Sequence, residues 1–188
     1  MRRALGALVR PWTVGVLVMA VAGVGFGLYW FQPWKLWQDE TVREALPGTA
    51  AASGAPAEAP SGASSTPAPP GLTTLASGEL ISHEHATSGT VKLVRLSDGS
   101  HVVRLEQLDT SNGPDLRVLL TDAPVKEGRA GWHVFDDGNH VSLGRLKGNK
   151  GSQNYAVPED VDPSRYTSVS IWCDRFDVSF GAAELARS

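Results

Sequence analysis

The chain has 188 residues, with 17 Lys plus Arg, 20 Asp plus Glu, a formal charge of −3 and a single cysteine. That length suits one or two domains. One cysteine excludes an intrachain disulfide, a Cys-x-x-Cys redox pair, a Cys-x-x-Cys-His haem attachment and any multi-cysteine zinc or iron–sulfur site. The charge is unevenly placed: residues 1–38 carry four bases and no acid, residues 39–71 four acids and one base, and residues 72–188 twelve bases and sixteen acids. A mildly acidic C-terminal part with no Lys/Arg run excludes nucleic acid as a partner, because displacing phosphate counterions needs a basic face.

Residues 1–11 form a basic N-terminus, and Trp12 to Phe31 is a run of 20 residues without a charged side chain. As a helix such a run spans about 30 Å, the hydrocarbon thickness of a bilayer. Trp12 marks one border and Tyr29, Trp30 and Trp34 the other, as interfacial aromatics do. Arg2, Arg3 and Arg10 precede the run, while Asp39, Glu40 and Glu44 follow it. The expectation is a single-pass membrane anchor with a cytoplasmic N-terminus and everything after Phe31 extracytoplasmic. A cleaved signal peptide ending at Ala20-Val21-Ala22 is the rival, but the apolar run continues nine residues beyond Ala22. No cysteine lies near the N-terminus, which removes a lipidated alternative.

The juxtamembrane segment 32–46 supports two readings, an irregular stretch or a short interfacial helix over Pro33–Leu46. In the helical one, Pro33 takes the first position, Asp39 and Arg43 form an i,i+4 pair, and Pro47-Gly48 ends the turn. Residues 47–71 are almost entirely Ala, Pro, Gly, Ser and Thr, with Glu58 the one charge. So little burial cannot offset ordering entropy, and the composition predicts a disordered linker. As a tether it would reach roughly 30 Å as a coil and roughly 75 Å as polyproline II.

Residues 72–187 form the folded part, and their apolar period is two. Val103 and Leu105, then Leu116, Val118 and Leu120, then Val169, Ile171 and Cys173, then Phe176, Val178 and Phe180 each alternate with intervening residues, as strands with one buried face do. Asp98-Gly99, Asn112-Gly113-Pro114 and Asp137-Gly138-Asn139 supply turns, and Lys147–Gly151 reads as a hairpin. Only Asp160–Tyr166 looks helical, with Asp162 capping a single turn begun by Pro163. Seven or eight short strands without alternating helices predict an all-β ectodomain, an antiparallel β-sandwich or barrel-like fold.

The order of motifs resembles a known family. Ser82-His83-Glu84-His85, Ser88-Gly89-Thr90-Val91, Asn112-Gly113-Pro114-Asp115-Leu116-Arg117-Val118, Leu143–Asn149, Gly151–Pro158 and Ser168–Phe176 with its Ile171-Trp172-Cys173 core succeed one another as in the DM-thirteen domain, also called electron-transfer DM-thirteen. The resemblance covers nearly all of residues 78–185 and none of the anchor or linker. It implies an extracellular β-rich module with a redox role centred on Cys173 and no securely assigned enzyme reaction. In animals such modules often accompany DOMON domains; this chain has none, so a haem-bearing neighbour would have to be another protein.

Cys173 is the candidate redox thiol, with Trp172, Asp174 and Arg175 as its neighbours. Strand parity puts Cys173 with Val169 and Ile171, which favours an inert buried thiol. Its place at a strand end, beside Arg175, favours a partly open thiolate, with Asp174 opposing. Classical blue copper is unsupported, since Met1 and Met19 lie outside the domain and no histidine follows Cys173. His83 and His85 could share an ion if both lay in one strand, while a polar strand edge explains them as well. Glu159, Asp160 and Asp162 read as capping residues, and Asp136 and Asp137 as turn residues. No cofactor motif is evident, the metal question stays open, and neither a Gly-x-Ser-x-Gly elbow nor a catalytic triad is present. Two functions remain: redox exchange with an envelope partner, or a non-redox binding or scaffolding module for a protein, glycan or wall polymer.

Overall fold

The structure, a computed structural model, describes residues 11–48 and 71–187. The arginine-bearing N-terminus and residues 49–70 of the expected linker lie outside the described residues. Helix α1 (Pro11–Phe31) is apolar around its whole circumference, with Val14, Leu17, Met19, Val24 and Phe26 all exposed. It is long and apolar enough to cross a membrane, a property that signal sequences share.

Among the described residues eleven strands follow: β1 (Thr41–Arg43), β2 (Thr73–Glu79), β3 (Ile81–Ser82), β4 (Ser88–Arg95), β5 (His101–Asp109), β6 (Leu116–Thr121), β7 (His140–Arg145), β8 (Lys150–Ala156), β9 (Ser168–Cys173), β10 (Val178–Glu184) and β11 (Ala186–Arg187). They make a six-stranded sheet, β1-β8-β5-β4-β2-β11, facing a five-stranded one, β3-β10-β9-β6-β7. Eight of them have six or more residues, within the seven or eight expected from the alternation; the other three are short edge pieces. The inner faces supply the main core, which includes Val91, Leu93, Val103, Leu105, Val118, Leu120, Val169, Ile171 and Phe180. Asp162 accepts the N–H of Ser164 at 2.9 Å and starts the expected single turn at Pro163.

Three local expectations are corrected. Lys147–Gly151 is no hairpin: β7 and β8 belong to different sheets, and this stretch carries the chain across the sandwich. Phe176 is not in a strand either. It sits in the turn before β10, 38% exposed, where Asp177 takes φ +57° and reverses the chain. The five-stranded sheet is also buried on both faces, since every residue of β9 is buried. Residues 122–135 wrap its outer side, where Leu119, Ala123, Phe135, Trp172 and Ala182 form a second cluster.

The juxtamembrane segment departs furthest from an interfacial helix. Pro33 does open a helical turn, but only Pro33–Trp37, and it is 3₁₀. The chain then becomes β1, the sole parallel partner in the six-stranded sheet, in the register Thr41↔Lys150, Val42↔Gly151 and Arg43↔Ser152. The physical reason is the free edge of β8, whose backbone groups would otherwise go unpaired. Asp39 does not pair with Arg43; it accepts from Asn149 Nδ2 at 2.8 Å and lies 3.8 Å from Lys150 Nζ.

A buried amide holds the crossover beneath this strand. Gln153 Oε1 accepts from the N–H of Lys147 (3.1 Å), the N–H of Gly148 (3.3 Å) and the hydroxyl of Tyr155 (2.6 Å), while Nε2 donates to Gly148 O at 2.8 Å. Gln153→Ala strips partners from several buried groups at once and is expected to cost about 3 kcal/mol, read as a lowered midpoint in urea unfolding. A loss under about 1 kcal/mol would show that the crossover does not depend on this amide.

Candidate functional site

Cys173 closes β9, opposite Leu116 of β6 and Val178 of β10. Its side chain faces the main core beside Val169 and Ile171, as strand parity predicts, and its exposure is 0%. The turn Asp174–Asp177 covers it. There the N–H groups of Phe176 and Asp177 donate to Cys173 O at 3.2 and 2.9 Å, and the N–H of Asp174 donates to Asp115 O at 3.0 Å. Burial pushes the thiol pKa up. The backbone N–H groups of Phe176, Arg175 and Asp115 pull it down, the Asp115 charge adds to burial, and burial wins. The thiol is therefore protonated and unreactive at neutral pH while the turn is closed.

The neighbours of Cys173 diverge. Trp172 points to the opposite face of the sheet, 2% exposed, edge-on to Phe135 at 6.5 Å. Asp174 is half exposed and pairs with Arg117 at 3.2 Å; Asp115 joins the same group through Arg117 (3.5 Å) and Arg145 (3.4 Å). Arg175 turns away to the end of α1, where its guanidinium donates to Trp30 O (2.5 Å) and Tyr29 O (3.4 Å) and lies 5.2 Å from the Trp30 ring. None of these three side chains is directed at the sulfur, which packs in the main core with Val169 and Ile171.

A groove of about 280 Å³ runs beside Trp172 and Asp174, lined also by Arg117, Asp136, His140 and Ser142. Asp136 has its pKa raised by burial and by hydrogen bonding to, and repulsion from, Asp177. The sequence marks Asp136 only as a turn residue and puts Asp177 among the residues alternating with Phe176, Val178 and Phe180. The carboxyl pair was hidden because Asp177 is 41 positions away and reaches Asp136 only through the β9–β10 reversal.

His83 and His85 are not brought to one point. His83 is buried, stacked on Phe135 at 5.6 Å, with Nδ1 2.7 Å from Ser179 Oγ and Nε2 3.1 Å from Lys126 O. The Lys126 carbonyl can only accept, so Nε2 carries the proton and Nδ1 accepts from Ser179. Ser170 Oγ, 3.0 Å from Ser179 Oγ, extends the chain. His85 instead lies against Phe180 at 3.9 Å. Ser179 and Phe180 are successive strand residues, so the two imidazoles pack on opposite faces of the sheet. Among the described residues, no three His, Cys, Asp or Glu side chains gather as a metal-sized group.

A family model described as electron transfer DM13 matches residues 79–185. The chain belongs to the DM13 family. The matched span takes in β3 to β10, including the Cys173 turn and the His83 network, and leaves out α1 and β1. No curated protein and no solved structure matches the chain.

The Ser170–Ser179–His83 network had no sequence signal. Ser168, Ser170 and Ser179 alternate with apolar residues and read as the solvent side; they are buried because residues 122–135 cover that face. Burial lowers the His83 pKa against the Lys126 hydrogen bond, which raises it. A depressed histidine pKa means the unfolded chain binds the extra proton, so the contribution of His83 is complete above about pH 6.5 and declines as pH falls below that. The melting temperature should therefore drop between pH 7 and 5, and His83→Gln should flatten that slope from a lower starting value. An unchanged slope in the variant would remove His83 as its source.

Proposed function

We propose that this DM13 chain is a membrane-anchored redox module, with α1 retained as the anchor, the β domain on the extracytoplasmic side, and Cys173 as its redox group. The family description supports electron transfer as the class of activity. The observation supporting the assignment to Cys173 is its position: the one thiol in the chain lies beneath the 174–177 turn, near backbone N–H groups of Phe176, Arg175 and Asp115 that pull its pKa down against burial. Such donors stabilise negative charge on sulfur, which hydrocarbon packing alone would not need.

The covering turn sets the terms of that chemistry. At rest Cys173 is sealed and protonated, so exchange requires residues 174–177 to lift. The turn is suited to this, being exposed at Asp174, Phe176 and Asp177 and carrying the left-handed Asp177 and its carboxyl contact with Asp136. Once uncovered, the thiol would lose its proton and attack a partner disulfide, forming a mixed disulfide and releasing one partner thiol. No metal or cofactor enters this step.

A second reading, a non-redox envelope binding module, is favoured by the complete burial of Cys173 among Val169, Ile171 and Val178. It places recognition on the loops around Asp136–Asn149. Mass spectrometry of the folded chain held with oxidised glutathione separates the two. The redox reading expects a single mixed disulfide at Cys173, formed slowly and at least several-fold faster in Arg175→Ala, where the turn loses its hold on α1. A thiol that stays unmodified until the protein is denatured overturns it and leaves the binding module.

A further inference from the structure

Residues 38–46 lie on the β domain as a strap, tied along their whole length. Asn112 Nδ2 donates to Gln38 O at 3.3 Å, the N–H of Glu40 to Asn149 Oδ1 at 2.7 Å, and the N–H of Lys150 to Glu40 O at 3.1 Å. Farther on, the N–H of Glu44 donates to Ser152 O at 2.8 Å, and the Glu44 carboxylate accepts from Lys147 Nζ at 2.8 Å and from the N–H of Asn154 at 2.7 Å. Arg104 reaches Glu44 O at 3.1 Å and Asn154 Nδ2 reaches Ala45 O at 2.8 Å. The domain surface is shaped for this strap. A Cβ on Gly148 would lie 2.4 Å from Glu40 O, and one on Gly151 would lie 2.0 Å from Val42 O.

Two consequences follow for the distance between α1 and the domain. Seven residues, 32–38, separate Phe31 from Asp39, and five of them are 3₁₀-helical, so this connection spans about 20 Å at most. Gly48 and Leu72 are neighbours, a Cβ on Gly48 falling 3.5 Å from Leu72 Cδ2, and Gly71 packs on Ser97. Gly48 and Gly71, the described residues on either side of 49–70, thus both lie by the β4–β5 turn, at the end of the sandwich opposite Cys173 and α1.

The other end of the domain meets α1 directly. Phe31 stacks on Phe176 at 5.6 Å and Arg175 binds the last helix carbonyls. A cleft of about 360 Å³ opens at the junction, walled by Phe31, Pro33, His85, Pro114, Phe176 and Phe180, with Lys35 and Glu84 also in its lining.

We infer that the β domain rests flush on the bilayer, its 83–86, 112–114 and 174–177 end seated among phospholipid headgroups, and that the short connection 32–38 and the strap, not the length of residues 49–70, set its height. The occupant of the junction cleft is phospholipid, because the cleft is carbon-walled and opens where an uninterrupted apolar helix ends. A redox partner must then be embedded in, or dissolved in, the same membrane. This rests on α1 being a retained anchor, as proposed above.

The test uses the full chain reconstituted in phosphatidylcholine bilayers. Flotation with vesicles reports anchoring, and neutron reflectometry on a supported bilayer reports the height of the protein layer. The expected profile begins at the headgroups and is unchanged when residues 49–70 are duplicated. Gly148→Ala, which blocks the strap's seat, and Asp39→Ala/Glu44→Ala, which cuts its ties without touching the core, should each lift the layer, and the height should then follow the length of the duplicated segment. A water gap under the wild-type domain that widens on duplication overturns the inference while leaving anchoring intact. Strap variants that keep the wild-type height overturn it too, whereas a chain that fails to float with vesicles overturns the anchoring.

Discussion

The unpaired edge of β8 governs how this molecule is put together. A sheet edge exposes a row of N–H and C=O groups that must find partners, and here the nearest extended chain is the segment leaving α1. Parallel pairing of Thr41–Arg43 with Lys150–Ser152 satisfies part of that edge, and the side chains of Asn149, Lys147 and Arg104 secure the rest. Asn149 is the central piece: 1% exposed, it donates to Asp39 Oδ1 and Thr110 O and accepts from the N–H of Glu40. One buried amide thereby joins the strap, the end of β5 and the start of β8. The element that carries the apolar helix and the element that carries the DM13 fold are continuous through it.

The thiol's burial and the backbone amides near it act in opposite directions, and the sign of the outcome decides its resting chemistry. Taking a thiolate out of water is costly, while the backbone N–H groups near the sulfur recover only part of that cost. Asp115 sets its carboxylate nearby and tilts the balance further toward the protonated form, although Arg117 and Arg145 partly neutralise it. The same amides do not require a water-exposed sulfur to exert their effect. They are held by the backbone of Asp115 and of the 174–177 turn, so the sulfur's environment is fixed by main-chain geometry, and substitutions of the surrounding side chains would leave it largely in place.

The β class and the apolar helix were legible in the sequence because both rest on local periodicity. Val103/Leu105 and Val169/Ile171/Cys173 need only alternate to declare a buried face, and the inward placement of Cys173 followed from that parity. The motifs from Ser82 to Phe176 carried the family without any structure. What could not be read was everything that depends on which edge or face a segment meets. Thr41-Val42-Arg43 is too short to show a period, and its strand character comes from β8, more than a hundred positions away. Ser168, Ser170 and Ser179 look like a solvent face until residues 122–135 fold over them. Lys147–Gly151 has hairpin composition, but its destination is set by Gln153 and Tyr155 beneath it.

The turn that seals Cys173 is also the contact point for α1, and this couples two features that the sequence keeps far apart. The last carbonyls of a helix have no intrahelical donors, and a cation there is favourable both as a hydrogen-bond partner and against the helix dipole. Arg175 fills that role for Tyr29 and Trp30, while the adjacent Phe176 packs on Phe31. Any movement that lifts residues 174–177 from the sulfur must therefore break the helix-end contacts or carry the helix end with it. Conversely, a tilt of α1 pulls directly on the backbone whose amides lie near the thiol. Access to Cys173 and the position of the end of α1 are thus one mechanical variable, and a partner that shifts the helix end would act on the thiol without touching it.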